Sequence, residues 1–451
     1  MLHLYDTASR EVRELRLRDP GAVSLYLCGP TVYGPPHLGH GRATIVYGVL
    51  RRYLEWTGLR VRLVSNITDI DDNIINKAQR DGRPWTEITE QYERLWFDSM
   101  AALGVARPTD VPHATEYVDE MVEMIAQLVE RDAAYLTDDG VYLDVSTVPD
   151  YGLLPHQDIE DMIAGGGERD VYGSDGKRHR ADFVLWKLSK PDEPAWPSPW
   201  GDGRPGWHSE CVVMSLDLLG EGFDLHCGGQ DLKFPHHENE RAQAVALGRN
   251  FASHWMHHGW VVDTEGEKMS KSLGNVDNVV DLLEHYDPRA YRMLLLQAHY
   301  RGPVAVGPDN LESATKTLAG LDAFAARTAA AEVADADESV LAQFRERMDD
   351  DLDTPSATAL LFETLRRANV AWDAGDPAGA SLVGAVHQMC GAFGLVLATA
   401  GDIPADARAK ATALDEARAA KDFATADALR AELQASGWTV ETTKAGTTLR
   451  R

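Results

Sequence analysis

The chain has 451 residues, 44% hydrophobic and 25% charged, an ordinary globular composition that excludes low-complexity and fibrous classes. A formal net charge of −27 excludes a broad basic face, so any nucleic-acid contact has to be local. The length allows roughly two to four domains with sizeable cores.

No positively charged leader with an apolar core opens the sequence, because Asp6, Glu11 and Glu14 interrupt it. No run approaches the roughly 20 apolar residues that span a bilayer. A cytoplasmic protein with no membrane association is expected. The run Val23–Leu27 reads as a strand, a Gly/Pro loop follows, Leu38–Trp56 reads as a helix, and Val61–Ser65 as a second strand. Such a β-α-β unit builds a parallel sheet, whose ligands lie beyond the carboxyl ends of its strands. Cys28 directly follows the first strand, and the stretch Asn66-Ile-Thr-Asp-Ile-Asp-Asp72 follows the second, so both face one crevice. Four cysteines far apart (Cys28, Cys211, Cys227 and Cys390) argue against a disulfide scaffold and leave metal binding or plain burial. Asp69, Asp71 and Asp72 are either magnesium ligands or caps of a helix over Ile74–Ala78. The loop Gly34-Pro-Pro-His-Leu-Gly-His40 puts His37 and His40 one helical turn apart, at a helix start whose free N–H groups attract phosphate. Gly39 lets backbone approach a ligand closely.

Glu116–Arg131 has helical apolar spacing, and Val141–Val145 alternates like a strand. Residues 164–167 and 174–177 read as turns, and Pro191–Gly206, with five prolines, as an extended loop. Trp207-His-Ser-Glu-Cys211 and Phe234-Pro-His-His-Glu-Asn-Glu240 carry the next chemistry. Pro235 suits the first turn of a helix, which places His236 and Glu240 on one face; His237 with Glu240 fits as well. Two thiolates, one imidazole and one carboxylate make a tetrahedral zinc set, against the alternative of a polar helix start and two core cysteines. Asp231 is a candidate acceptor for a substrate ammonium or ribose. His254, His257 and His258 read as loop and strand residues before Gly259–Val262.

Glu267-Lys-Met-Ser-Lys-Ser-Leu-Gly-Asn275 offers two ammonium groups, Lys268 and Lys271, with hydroxyls between them, a loop suited to holding and releasing a polyanion. Pro303–Pro308 breaks the chain. Leu311–Ala330, Val340–Asp349, Thr354–Asn369 and Ala380–Leu397 read as a helical bundle, and Ala407–Ser436 as a further helix. Residues 401–451 carry eight basic and eight acidic side chains, so the acidic excess lies before them. Trp438 suits either base stacking or packing under the last helix.

The paired motifs around His37-Leu-Gly-His40 and Lys268-Met-Ser-Lys-Ser272 resemble the two signatures of class I aminoacyl-tRNA synthetases. The residues between them narrow the resemblance to the cysteinyl-tRNA synthetase family. It implies an α/β fold with a Rossmann-type parallel sheet, interrupted by a connecting insertion and followed by an α-helical bundle and a small terminal domain. The implied division is 1–110 and 201–262 for the two halves of the nucleotide fold and 111–200 for the insertion. The signature loop and stem-contact region take 263–308, the tRNA-binding bundle 309–400, and the anticodon-reading end 401–451. The resemblance assigns zinc to Cys28, Cys211, His236 and Glu240, and ATP, with Mg2+, to His37, Gly39, His40, Lys268, Ser270 and Lys271. His37, His40, Lys268 and Lys271 become the catalytic set. Gly29, Thr68, Trp207 and Asp231 are assigned to the amino acid. L-cysteine, ATP and cysteine tRNA are the implied partners of a monomer. At Cys227 the family usually has glycine. A rival, a ligase joining cysteine to an amino sugar, has a reduced C-terminal end.

Overall fold

A computed structural model describes residues 2–158, 176–263, 266, 278–329, 335–398, 405–436, 438–443 and 446–450. The element that positions the site is a four-stranded parallel sheet. It contains β3 (Ala22–Leu27), β4 (Arg60–Val64), β9 (Leu225–Gly229) and β10 (Trp255–His258), in the order β10-β9-β3-β4. Strand β3 is buried along nearly its whole length, as a central parallel strand covered on both faces must be, which explains its unbroken apolar run. The chain leaves β3 for β4 on one side and returns to β9 on the other. The carboxyl ends of β3 and β9 therefore meet where the strand order reverses, the usual place for a ligand crevice.

Helix α1 (Leu38–Trp56) makes the crossover from β3 to β4. On that face it packs with α8 (Pro288–Leu296) and a helical bundle: α9 (Pro308–Thr328), α10 (Glu338–Asp349), α11 (Thr354–Ala374) and α12 (Ala378–Phe393). The other face is covered by α4 (Val118–Glu130), α5 (Trp207–Leu219) and α6 (Glu238–Ala246). The insertion shares this second core. It contributes an antiparallel sheet of β5 (Ala134–Leu136), β6 (Gly140–Leu143), β7 (Phe183–Leu188) and β8 (Gly203–Pro205).

Three expectations need correction. Pro191–Gly206 is not loop throughout: Trp196 bridges to Gly203, and β8 forms the sheet edge, where Pro205 is tolerated because an edge strand can spare an N–H. Pro235 does not open a helix; Lys233–His237 forms a wide π-type turn with Phe234 extended, and α6 begins at Glu238. Ala407–Ser436 is two helices, α13 (Ala405–Ala419) and α14 (Phe423–Ala435). Lys421 is left-handed at φ 59°, and Asp422 caps the second helix by accepting from the Thr425 N–H. The alanine-rich composition hides that break, because it favours helix on both sides of the cap. Trp438 is buried with Ala411, Leu414 and Leu433 beneath these helices, so its ring is a packing residue there. The stretches 164–167, 264–265 and 267–274 lie outside the described residues, and with them Lys268, Ser270 and Lys271. No described helix is long and apolar enough to cross a membrane.

Candidate metal and nucleotide site

A cleft of about 1450 Å³ opens at the carboxyl ends of the sheet strands. Its wall includes Cys28, Gly29, His37, Gly39, His40, Trp207, Glu210, Asp231 and His236. The Gly29 loop passes so close to the next one that a Cβ built on Gly29 falls 2.7 Å from the carbonyl carbon of Asn66. Only glycine fits that crossing. The Gly29 N–H donates to Asn66 Oδ1 at 2.9 Å.

The His37-Leu-Gly-His40 stretch closes on itself at the start of α1. Nδ1 of His37 accepts from the His40 N–H at 3.1 Å, and Nδ1 of His40 accepts from the His37 N–H at 3.2 Å. The rings stack with centroids 3.4 Å apart. The His37 ring lies 3.0 Å from where a Cβ on residue 39 would sit, which accounts for Gly39. Because each Nδ1 is an acceptor, a neutral ring carries its hydrogen on Nε2, where it serves as a donor. Burial, then His37 and His258, hold His40 well below the usual histidine range, so its ring is neutral.

Deeper in the crevice Cys28, Cys211, His236 and Glu240 converge, each offering one ligand atom within 4.8 Å of the others. The two sulfurs are 3.8 Å apart, and Cys211 Sγ lies 3.6 Å from His236 Nε2. Glu240 Oε1 is 2.9 Å from His236 Nε2 and 3.5 Å from Cys28 Sγ. Cys28 comes from the end of β3 and Cys211 from α5; His236 comes from the π-type turn and Glu240 from α6. Burial pushes the Cys211 thiol up, but its contacts with Cys28 and His236 outweigh that and bring it down to about 6. Burial and the neighbouring Cys211 push Cys28 up. Burial opposes protonation of His236, yet Glu240 and Cys211 raise it to about 10. Burial opposes ionisation of Glu240, and His226 and His236 still hold it well below the usual carboxyl range. Cys211 and Glu240 are thus favoured as anions beside a protonated His236, while Cys28 keeps its proton. Two thiols, an imidazole and a carboxylate at these separations fit a tetrahedral zinc ion.

Around this quartet stand His226 and His208, which sequence reasoning missed, together with the expected Trp207. His226 Nε2–H donates to Glu240 Oε2 at 2.5 Å, His208 Nδ1 lies 2.9 Å from His236 Nδ1, and Trp207 stacks on His236 with centroids 4.1 Å apart. His237 Nε2 is 3.2 Å from Cys28 Sγ, and its Nδ1 meets His257 Nε2 at 2.8 Å, so Cys28, His226, His237 and Glu240 form a second, overlapping donor set. His257 is thus more than a plain strand residue. Period-2 alternation along β9 was the available signal for His226: it faces the metal-side core, and Cys227 points into the opposite one. Cys227 is therefore no ligand, and burial pushes its thiol up.

Of the remaining expected residues, Trp207 and Asp231 border the cleft, and Asp231 lies beside Gly229. Thr68 is buried, is not part of the cleft wall, and donates to Glu210 Oε2 at 2.6 Å. Burial, followed by Cys211, Asp71 and Asp69, pushes the Glu210 carboxyl well up. The aspartates are structural here. Asp71 caps α2 (Asp72–Asp81), Asp69 accepts from Thr115, and Asp72 pairs with Lys187 at 2.9 Å and with Arg204.

Residues 15–316 match the description "tRNA synthetases class I (C) catalytic domain", and residues 343–398 match "DALR domain". The chain is 44% identical to a cysteine–tRNA ligase of Alkalilimnicola ehrlichii over 100% of both chains. The chain belongs to the cysteine–tRNA ligase family. A relative of that name from Halorhodospira halophila is 43% identical over 100% of both chains; one from Streptomyces griseus is 41% identical, with 99% of this chain and 98% of that one covered. A methionyl-tRNA synthetase of Mycobacterium tuberculosis shares the fold, with a TM-score of 0.60 over 82% of this chain and 89% of that one at 16% identity. The class I sheet and the helical region after it are those of this family.

Proposed function

We propose that the chain activates L-cysteine with ATP and transfers the cysteinyl group to the terminal ribose of cysteine tRNA. The observation that carries this reading is the Cys28, Cys211, His236 and Glu240 set at the strand-order switch, opening into the same cleft as His37 and His40. Cys28, Cys211, His236 and Glu240 would hold a zinc ion, whose Lewis acidity would favour a substrate thiol over the far less acidic hydroxyl of serine. A site built on a strong polar contact rejects an analogue lacking it by factors of roughly 10⁴, which removes the need for hydrolytic editing.

The protein's own groups supply the rest. Trp207 holds His236 by stacking, and His226 keeps Glu240 oriented through its second oxygen. Glu240 is the ligand with room to adapt as a thiolate arrives, because His226 retains its other oxygen. The Nε2–H groups of His37 and His40 donate to ATP phosphate oxygens, and the backbone at Gly39 approaches them closely. Lys268, Ser270 and Lys271 hold the phosphates, with magnesium carried in by the nucleotide. The ionised cysteine carboxylate attacks the α-phosphorus, the bond to the bridging oxygen breaks, and pyrophosphate leaves with that electron pair. No side-chain base is required for this step. Asp231 accepts from the ribose or the ammonium of the bound reactants. The bundle and the terminal helices grip the tRNA through local contacts, as the acidic surface demands. A cytoplasmic monomer suits this role.

The test is transfer of labelled cysteine, with ATP, to unfractionated tRNA, beside a parallel reaction offering glucosaminyl-inositol. Label on tRNA that mild base removes is an ester to ribose and supports the reading. Label confined to the amino sugar overturns it.

A further inference from the structure

Glu210 is fully buried on α5, one residue before Cys211, and forms part of the cleft wall. Its Oε2 accepts from Thr68, and its Oε1 is buried with no hydrogen-bond partner. Thr68 in turn accepts from Asn66 Nδ2 at 3.2 Å, and Asn66 Oδ1 accepts from the Gly29 N–H. Glu210 therefore ends a polar chain that starts beside Cys28, and both ends of that chain border the cleft. A buried carboxyl oxygen left without a partner is costly, and an incoming donor on a ligand relieves that cost. Cysteine carries one cationic group, its α-ammonium, three bonds from the sulfur. Cys211 is one of the four clustered donors, and the residue before it on the helix is Glu210, which borders the cleft.

We propose that Glu210 receives the α-ammonium of the amino acid, with Thr68 as the positioning residue that holds its carboxyl. This deepens the cysteine-activating reading and rests on it. It moves Thr68 out of direct substrate contact. It also leaves Asp231, at the end of β9 near His258, to the nucleotide side.

The test is equilibrium binding of three thiols to metal-loaded protein: cysteine, cysteamine, which keeps the ammonium, and 3-mercaptopropionate, which lacks it. Glu210→Gln is expected to weaken cysteine and cysteamine by about ten-fold or more while leaving 3-mercaptopropionate nearly unchanged. Equal weakening of all three marks a merely structural residue and overturns the proposal. So does Asp231→Asn taking over the discrimination. Should Glu210→Gln fail to fold, Thr68→Val, with Thr68→Ser as the rescue, is expected to give the same pattern. Wild-type protein that binds none of the three thiols overturns the cysteine reading itself, an outcome distinct from failure at Glu210.

Discussion

Gly29→Ala places a methyl group where two loops already touch. The built Cβ lies 2.7 Å from the Asn66 carbonyl carbon and 3.2 Å from its nitrogen, and it is closer still to the carbonyl oxygen; ordinary contact begins near 3.4 Å. Both partners are backbone, so no side chain can rotate away. The loops after β3 and β4 have to part by about 1 Å or more, which in a packed site typically costs about 10²-fold in rate and about 1–3 kcal/mol in stability. Cys28 is the preceding residue, so its sulfur moves relative to Cys211, and the Gly29 N–H loses Asn66 Oδ1. The assay is cysteine-dependent ATP–pyrophosphate exchange over a range of cysteine, with metal content measured on the same preparation. The expected result is a fall in kcat/KM of about two orders of magnitude and reduced zinc, with the fold retained by circular dichroism. Wild-type kinetics and full zinc in Gly29→Ala would refute the reasoning.

Cys211→Ser and His236→Ala are each expected to lose bound zinc on metal analysis, while His226→Ala weakens zinc by about 10–100-fold, because it removes only the partner of Glu240; retained stoichiometry in the first two sinks the ligand assignment. Arg42 is buried and donates to the carbonyls of Trp260, Tyr300 and Gly302 at 2.6, 2.7 and 2.5 Å. Arg42→Met strands those acceptors and is expected to cost about 3–5 kcal/mol in urea unfolding. A change below about 1 kcal/mol would show that water replaces the guanidinium. His258 is lowered from 6.5 to about 3 by burial and then by Arg42. In that window the unfolded chain binds a proton that the folded chain does not, so stability falls as pH falls. His258→Asn should flatten the dependence by about 1.4 kcal/mol per pH unit there, and an unchanged slope counts against a neutral buried ring.

The parts most legible in the sequence were those with local causes. Helix α1 spans Leu38–Trp56 as expected, because Pro35, Pro36 and Gly34 mark its start and its own histidines cap it. The strand Val23–Leu27 was readable because a central parallel strand is apolar throughout. The parts that were not legible have long-range causes. Of the insertion's antiparallel sheet, only the strand around Val141–Leu143 was expected, since β8 is a short edge pinned by Trp196 and packed against β7. His226 and Glu210 were not read as site residues, because the partner of each lies on another element. By residue type Cys28, Cys211, His236 and Glu240 were readable only as one candidate metal set, with His237 an alternative to His236, and the family resemblance chose among them. Their convergence depends on four separate elements that no spacing rule connects.

The most direct measurement is the optical spectrum of protein carrying cobalt(II) in place of the native metal. Cysteine added to it is expected to strengthen sulfur-to-cobalt charge transfer, because a third sulfur joins those of Cys28 and Cys211, and serine at equal concentration should leave the band unchanged. Equal responses to cysteine and serine, or no cobalt bound by protein with all four side chains intact, would contradict a metal centre that selects its substrate by the thiol.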